Sequence, residues 1–384
     1  MQRPLETGIP FDDHRTTPVS MMGPFADLLQ QNNVDYMWIW DELSTWFPGN
    51  LWTPENTPAA AVIDSNALYD PFVEAAFAVA HNHEIGLRLS TDAVRTAPAE
   101  LLRKVLSLQN ATSGKVVMTI GAGELRQSKP FGYKRSEGLK RLEDNLVLVN
   151  KLYDAKEPVS HEGNFWNYQN AFLGHHRPAV RPEFWALGGG PILLDIAAKH
   201  ADGFEAAVPQ AIVGADAYAK TVKMMRDKVE SNGRDPDKFG FGIWLIGVLH
   251  DDPDMIQVVL DNPIVKYFAG QFGRIDQKNW IEEGIVPVMP EDWHYAMKWE
   301  PFVQSDEEVN RIVGGVSKEM ARKAYHVGTP EQMTKIAQGY VDAGANFIGI
   351  IDMTPLALGP ADAMDSVRRS SQVYSALKKA QAGR

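Results

Sequence analysis

The sequence has 384 residues, of which 44% are hydrophobic and 23% charged, and its formal net charge is −11. These proportions are ordinary for a globular protein with a large core, and the length suits either several domains or one α/β barrel with insertions. The negative charge argues against a surface that binds nucleic-acid phosphates or anionic lipids. Because cysteine is absent, disulfides, thiolate metal sites and cysteine nucleophiles are excluded.

Membrane and export signals are also missing from the sequence. No run of apolar residues reaches the roughly 18 that a membrane-spanning helix needs, and the first residues lack the apolar segment of a signal peptide. We therefore expect a cytoplasmic protein with no membrane span and no nucleic-acid partner.

Apolar runs of strand length alternate with segments of helical period along the chain. The predicted strands are Leu5–Phe11, Asp35–Trp40, Glu84–Leu89, Lys115–Ile120, Phe184–Leu187, Gly203–Ala207, Phe239–His250 and Asn346–Ile351. The predicted helices are Gly23–Gln31, Pro71–His81, Pro98–Gln109, Gly138–Tyr153, Ile192–His200, Asp216–Asn232, Pro330–Ala343 and Ala361–Lys379. Because parallel neighbours need long crossovers, this alternation predicts an α/β fold, the (β/α)8 TIM barrel. The alternative is an open doubly wound sheet, whose usual G-x-G-x-x-G motif is absent.

Three stretches interrupt the alternation and are predicted to be insertions after strands 2, 4 and 7. They cover about residues 43–66, 158–173 and 251–325, and the second has the pattern of a β-hairpin. Since no repeat or linker is present, we expect one domain over residues 1–384. In a barrel the loops after the strands gather on one face, where the active site lies.

The end of the second predicted strand carries two carboxylates and an indole. Asp41 and Glu42 follow the strand directly, and Trp46 lies four residues further on. In a barrel these side chains would stand at the catalytic rim. The alternative interpretation is a solvated loop with a tryptophan in the core.

A second motif, Gly121-Ala122-Gly123-Glu124, follows the fourth strand. The glycines let the backbone approach a ligand and would place the Glu124 carboxylate over the barrel mouth. A half-shielded carboxylate there can have a raised pKa and act as a general acid or base. A purely structural tight turn explains the pattern equally well.

The third motif, Gly188-Gly189-Gly190-Pro191, follows the fifth strand and opens a helix. Unpaired backbone N–H groups at a helix start favour a phosphate, although a structural turn remains the alternative.

Two histidine groups and four tryptophans are further candidates for site residues. His81, His83, His175 and His176 lack carboxylates at a zinc-binding spacing, so we expect surface or capping roles and no metal. Tryptophans 38, 40, 46 and 52 are candidates for a flat aromatic pocket, but core packing explains the first two better.

With these motifs in this order, the chain resembles the luciferase-like monooxygenase superfamily, in particular the branch that uses the deazaflavin coenzyme F420. That branch includes F420-dependent glucose-6-phosphate dehydrogenase, hydroxymycolic acid dehydrogenase and phthiodiolone ketoreductase. The matching segments are W-D-E-L-S-T-W at 40–46, T-D-A-V-R-T-A-P at 91–98, I-G-A-G-E at 120–124, F-G-Y at 131–133, V-S-H-E-G-N-F-W at 159–166 and A-L-G-G-G-P-I at 186–192.

The resemblance implies a role for each matching position. Glu124 and Trp46 would be catalytic: Glu124 exchanges a proton and Trp46 stacks near the ring. Glu42, which differs from the branch's residue at its position, is a third catalytic candidate if burial and a neighbouring carboxylate raise its pKa. Leu89 and Ser90 would support the ring from a strand with a bulge or cis peptide. The full set of implied cofactor-binding residues is Asp41, Leu89, Ser90, Gln127, Leu187, Gly188, Gly189, Gly190 and Ile192.

The chain departs from the resemblance at two places. The branch's dehydrogenases have a histidine where this chain has Glu42, and a carboxylate is a weaker base for a hydroxyl proton, so substrate reduction is favoured. Residues 206–212 (AAVPQAI) lack the lysine that sugar-phosphate dehydrogenases use, which disfavours glucose 6-phosphate.

The leading hypothesis is an F420-dependent oxidoreductase that reduces a hydrophobic or aromatic small molecule. The alternatives are a monooxygenase that uses reduced FMN and oxygen, and a barrel that binds a cofactor without catalysis. We also expect a homodimer.

Overall fold

The computed structural model describes residues 3–10 and 19–383. Its strands are β1 (Glu6–Pro10), β2 (Tyr36–Trp40), β3 (Gly86–Asp92), β4 (Val116–Gly121), β5 (Val159–Glu162), β6 (Asn167–Ala171), β7 (Glu183–Leu187), β8 (Gly203–Val208), β9 (Gly240–Leu249), β10 (His326–Gly328) and β11 (Phe347–Asp352). The barrel helices are α1 (Met22–Gln31), α2 (Pro71–His81), α3 (Pro98–Ala111), α5 (Gly138–Asp154), α6 (Pro191–His200), α7 (Gly214–Ser231), α14 (Pro330–Asp342) and α16 (Ala363–Ala382), with the four-residue α4 (Leu125–Ser128) before α5 and α15 (Thr354–Leu358) before α16.

Eight parallel strands close into a barrel in the order β1-β2-β3-β4-β7-β8-β9-β11, and β11 returns to β1. Gly8 illustrates the closure, because it is in register with Tyr36 on one side and with Gly349 on the other. The predicted (β/α)8 barrel is therefore confirmed. The short β10, which the sequence did not predict, pairs in parallel with the carboxyl end of β9, from Gly247 to Leu249.

The strands divide their side chains between two apolar layers because successive residues point to opposite faces. Outward residues such as Met37 and Leu87 pack against the helices. Inward residues such as Trp38 and Trp244 fill the barrel, where their rings stack 3.8 Å apart. Gly349 makes room for this arrangement, since a Cβ there would overlap the Trp244 ring.

A buried ion pair lies inside the barrel between β3 and β8. Arg88 Nε donates to Glu205 Oε2 at 2.6 Å, and both side chains are fully buried. The Arg88 guanidinium lies 3.7 Å from the centre of the Phe347 ring and 4.3 Å from that of Trp185. The charge is thus enclosed by its partner and by aromatic faces, which favour a cation.

The 251–325 segment, predicted as an insertion, forms six helices over the carboxyl end of β9. They are α8 (Pro253–Asp261), α9 (Pro263–Phe272), α10 (Lys278–Glu282), α11 (Tyr295–Lys298), α12 (Asp306–Gly315) and α13 (Lys318–Ala324). Their apolar faces join the cluster that fills the barrel interior. This segment therefore closes over the end of the barrel at which the strand-end motifs lie.

The predicted hairpin is present as β5–β6 and follows α5, in the order that the sequence predicted. Two other sequence predictions require correction or fall outside the described residues. β3 begins two residues later than the predicted Glu84 and continues to Asp92, because Asn82 accepts the N–H groups of Glu84 and Ile85 in a turn. The end of the first predicted strand, Phe11, lies outside the described residues.

None of the described helices combines the length and apolar character that crossing a lipid bilayer requires.

Candidate active site

A mostly apolar cavity of about 290 Å³ opens at the carboxyl ends of the barrel strands. Residues from β2, β3, β7, β8, β9 and β11, from the segments that follow strands including β4, and from the helical insertion form its walls. Of the residues predicted for the site, those that line it are Asp41, Glu42, Trp46, Ser90, Glu124, Gln127, Leu187 and Gly188. Residues distant in sequence thus converge on one concave site.

The other four predicted cofactor residues do not line the cavity. The Leu89 side chain packs in the layer between barrel and helices, since Ser90 takes the inward position. The expected bulge or cis peptide is also absent there, because β3 and β4 pair without a shift from Leu87 to Asp92. Gly189, Gly190 and Ile192 lie beyond the cavity wall, and the Ile192 side chain is 59% exposed.

Arg126 organises the carboxylates of the site. Its Nη2 lies 3.0 Å from Glu42 Oε1, and its Nε lies 3.0 Å from Glu124 Oε2. The guanidinium carbon stands 3.6 Å from the centre of the Trp46 ring, and the Trp46 indole N–H donates to Glu42. One cation therefore holds both predicted catalytic carboxylates beside the predicted catalytic indole.

The chain around Glu124 explains how this arrangement forms. β4 ends at Gly121, and Gly123 has a φ of +97°, a conformation that favours glycine. α4 begins directly after Glu124, so Arg126 projects from its first turn, and Ser128 Oγ donates to the Glu124 carbonyl at 2.7 Å. The G-x-G-E motif is thus a turn that directs a carboxylate to the cavity.

Burial raises the pKa of Glu124 to about 7, and the negative charges of Asp92 and Glu42 act in the same direction. Arg126 and a hydrogen bond with Tyr295 oppose the shift. Asp92 is itself buried at the end of β3, which raises its pKa although Arg95 opposes the increase. Glu124 is therefore poised to give or take a proton near neutral pH.

The raised pKa of Glu124 predicts a pH dependence of stability. Between its ordinary value of 4.5 and the folded value of about 7, the folded protein retains a proton that the unfolded chain loses. The free energy of unfolding should therefore fall as pH rises through this window, by about 3 kcal/mol in total. Urea unfolding from about pH 5 to about pH 8 checks this, and Glu124→Gln should show a shallower slope. Equal slopes for the two proteins would contradict the assignment.

Asp41 is oriented by two neighbours, one at the end of β3 and one in the loop that follows it. Thr91 Oγ1 donates to its Oδ2 at 2.6 Å, and Arg95 Nη1 lies 3.2 Å from its Oδ1. Arg95 also donates to the Asp41 carbonyl at 2.6 Å. These contacts fix both the backbone and the side chain of Asp41 at the cavity wall.

Gln127 connects the site to the loop that follows β2. Its side-chain oxygen accepts the N–H of Leu43 at 2.6 Å, and its side-chain nitrogen donates to the Ser44 carbonyl at 3.3 Å. Because Glu42 and Trp46 flank this contact, Gln127 helps to hold them in place.

The glycine turn begins at Gly188, directly after the end of β7. Gly188 has a φ of +139° and donates its N–H to the Glu205 carbonyl at 2.9 Å. α6 begins at Pro191 with Gly190 as its N-cap. The first N–H groups of such a helix have no partner within it, and they suit an anionic group.

Aromatic residues of the helical insertion complete the wall around Trp46, and sequence reasoning missed them. The ring centroid of Trp46 lies 5.9 Å from that of Phe272 and 6.5 Å from that of Tyr295. Trp299 is closer still, at 5.3 Å. The aromatic content of the insertion was the available signal, but no strand end indicated which rings face the cavity.

The histidine groups take structural positions. His81 Nε2 lies 2.9 Å from Asp27 at the end of α2, and His175 contacts the Ser107 hydroxyl at 3.3 Å. Within residues 3–10 and 19–383 no group of three or more His, Cys, Asp or Glu side chains is arranged to hold a metal ion.

Comparison with known proteins gives one family match and several relatives. The family model for luciferase-like monooxygenases matches residues 8–346. The chain is 26% identical over 354 residues to the phthiodiolone/phenolphthiodiolone dimycocerosates ketoreductase of Mycobacterium kansasii, covering 90% of this chain and 94% of that protein. It is 24% identical over 223 residues to the F420-dependent glucose-6-phosphate dehydrogenase of Nakamurella multipartita, covering 57% and 60%.

Solved structures share the fold at low sequence identity. An F420-dependent secondary alcohol dehydrogenase in complex with an F420–acetone adduct superposes with a TM-score of 0.71, covering 97% of this chain and 99% of that one at 16% identity. A long-chain alkane monooxygenase superposes with a TM-score of 0.66, covering 99% and 92% at 14% identity. The barrel fold is thus common to proteins whose names describe different chemistry.

Proposed function

The chain belongs to the luciferase-like monooxygenase family, and from this premise we propose that it is an oxidoreductase that uses the deazaflavin coenzyme F420. The curated relatives include an enzyme whose name specifies F420, and the ketoreductase relative is matched over nearly its whole length. The cofactor is F420, and the reaction is the reduction of a neutral hydrophobic or aromatic compound.

The residues of the cavity fit a tricyclic ring with an anionic side chain. Aromatic faces, among them Trp40 and Trp46, provide flat apolar walls, and Asp41 and Ser90 offer polar groups at the edge. Gly188 lines the cavity, and the amino terminus of α6 follows just beyond the cavity wall, where its N–H groups would hold a phosphate that extends from the ring. When bound in its reduced form, F420 supplies a hydride, and the protein contributes orientation and charge.

The observation that carries the proposal is the Glu124–Arg126–Glu42 arrangement in an apolar cavity. Arg126 neutralises one of the two negative charges, so the second carboxylate retains a proton near pH 7, as burial raises the pKa of Glu124. Glu124 therefore serves as the proton donor to a substrate atom that gains electron density. Glu42 is already engaged by Arg126 and by the Trp46 indole, so it acts as a positioning group. A site that offers a proton at neutral pH favours the reducing direction.

The lining of the cavity supports the class of substrate. Among the described residues that line it, Arg126 is the cationic side chain, and two carboxylates already pair with it. Ala207 and Ala211 line the cavity and belong to the stretch 206–212, which contains no lysine that could bind a phosphate. An anionic sugar phosphate would therefore find no free counter-charge, whereas a neutral apolar ketone, imine, enone or nitroarene would fit.

Titration with each cofactor tests the proposal. We expect the protein to quench F420 fluorescence at micromolar concentration, and to oxidise reduced F420 when given members of a ketone, imine, enone and nitroarene panel. Tight FMN binding without quenching of F420 would instead support the monooxygenase that uses reduced flavin and oxygen. F420 binding with no turnover across the panel would support a barrel that binds cofactor without catalysis.

We also propose that the protein is a homodimer that associates through α2. Val73, Ala76, Phe77 and Ala80 lie at helical spacing on its outer face, and all four are exposed. An apolar stripe of this kind on a helix surface is typical of an interface. Sedimentation should give a dimer at micromolar concentration, and Phe77→Glu should weaken it, whereas Phe172→Glu on the hairpin side should not. A monomeric wild type would overturn the proposal.

A further inference from the structure

The helical insertion brings one polar aromatic residue to the proposed proton donor. Tyr295 opens α11, which packs against α4 just after Glu124, and both side chains line the cavity. The Tyr295 hydroxyl and the Glu124 carboxyl group interact, and each shifts the pKa of the other. Nothing in the strand-end motifs of the barrel indicated this contact, because it comes from a segment about 170 residues further along the chain.

We propose that Tyr295 is a positioning residue that acts through Glu124, and that its hydroxyl donates to the carboxylate and holds it towards the substrate. The role of Tyr295 in turnover rests on the proposed function, whereas its effect on the Glu124 carboxyl group does not. The insertion after β9 would then supply part of the proton-transfer machinery as well as the wall of the substrate pocket.

The packing of the Tyr295 ring determines where its hydroxyl lies. The ring stands nearly parallel to Trp46, with an interplanar angle of 25°, and its centroid lies 5.7 Å from that of Phe272. Trp299, one helical turn further on, anchors this segment, because its indole N–H donates to the Tyr267 hydroxyl at 2.9 Å. A ring held on several sides can place a hydrogen bond at little entropic cost.

The charged groups around Glu124 set the direction of the expected effect. They come from each element packed against it and are Arg126 on α4, Asp92 at the end of β3, Glu42 after β2 and Arg135 before α5. These groups remain in a Tyr295→Phe variant. A hydrogen bond donated to a carboxylate stabilises its charged form, so losing the hydroxyl should raise the pKa of Glu124.

The test uses the full-length protein without cofactor. Glutamate labelled with ¹³C in the side-chain carboxyl is incorporated, and the Glu124 resonance is assigned by its disappearance in Glu124→Gln. We expect its titration midpoint in Tyr295→Phe to lie about one pH unit above that of the wild type. Tyr168→Phe is the matched control. It also removes a hydroxyl group that forms one hydrogen bond, in which the Tyr168 oxygen accepts from the Ala99 N–H, but Tyr168 lies on the hairpin and does not line the cavity.

The possible outcomes separate this inference from the proposed function. An unchanged midpoint in Tyr295→Phe would overturn it, and so would an equal shift in Tyr168→Phe. Because the titration needs no cofactor, it decides the role of Tyr295 even if F420 does not bind. If reduced F420 is oxidised, the loss of kcat at high pH should also move upward in Tyr295→Phe, while KM changes less than kcat.

Discussion

Replacing Glu124 by Gln is expected to lower kcat for substrate reduction by about 10²- to 10⁴-fold, the usual contribution of a positioned general acid. Gln has nearly the shape of Glu and can occupy the same place beside Arg126, but it carries no transferable proton. Affinity for F420 should stay close to that of the wild type, because cofactor contacts are assigned to other residues. Steady-state oxidation of reduced F420 gives kcat, and fluorescence quenching gives the affinity.

Glu162→Gln provides the matched control for this experiment. Glu162 lies exposed at the end of β5 and outside the cavity, so its substitution should leave both quantities unchanged. A Glu124→Gln enzyme with wild-type kcat across the pH range would remove Glu124 from the mechanism. Loss of F420 affinity in step with kcat would instead make Glu124 a cofactor-binding residue.

The second large effect is expected on stability, from the ion pair inside the barrel. Arg88→Met should lower the free energy of unfolding by about 3–5 kcal/mol, because Glu205 would then be a buried charge without a partner. The double variant Arg88→Met/Glu205→Leu should recover most of this loss, since apolar residues of similar volume can replace a buried pair. Denaturant unfolding followed by circular dichroism measures all three proteins.

A surface pair with good geometry is the control for the ion-pair experiment. Arg103 and Glu100 are more than half exposed at one turn's spacing on α3, and breaking their contact should cost at most about 1 kcal/mol. If Arg88→Met is no more destabilising than Arg103→Met, the interior of the barrel is less enclosed than the structure implies.

Much of the barrel could be predicted from the sequence because local pattern and global fold agree. The apolar runs at β2 and β4 are typical of parallel strands that are buried on both faces, and a segment of helical period follows each of them along the chain. β10 was not predicted, because a strand of only three residues is too short to show a periodic pattern. The predicted start of β3 was two residues too early, because the Asn82 side chain accepts hydrogen bonds from the N–H groups of Glu84 and Ile85 and holds them in a turn.

The site could be predicted only in part, for a physical reason. Carboxylates and glycines at strand ends share one rim by topology, so Asp41, Glu124 and Gly188 were found together. The side chain of Leu89 faces the helices and that of Ser90 faces the cavity, which the sequence could not tell because β3 is apolar or buried on both faces. Arg126 and Tyr295 act through contacts between separate segments, and only the folded chain shows which side chain reaches which partner.

The distribution of indoles has a practical consequence for experiments on this protein. Five of its ten tryptophans, at positions 38, 40, 46, 52 and 244, border the cavity. Much of the intrinsic tryptophan fluorescence therefore arises next to the place where a conjugated ligand would bind, and energy transfer to that ligand would quench it. Binding of an absorbing ligand can thus be followed by tryptophan quenching without any label. A ligand that does not absorb can be followed by the recovery of emission when it displaces an absorbing one.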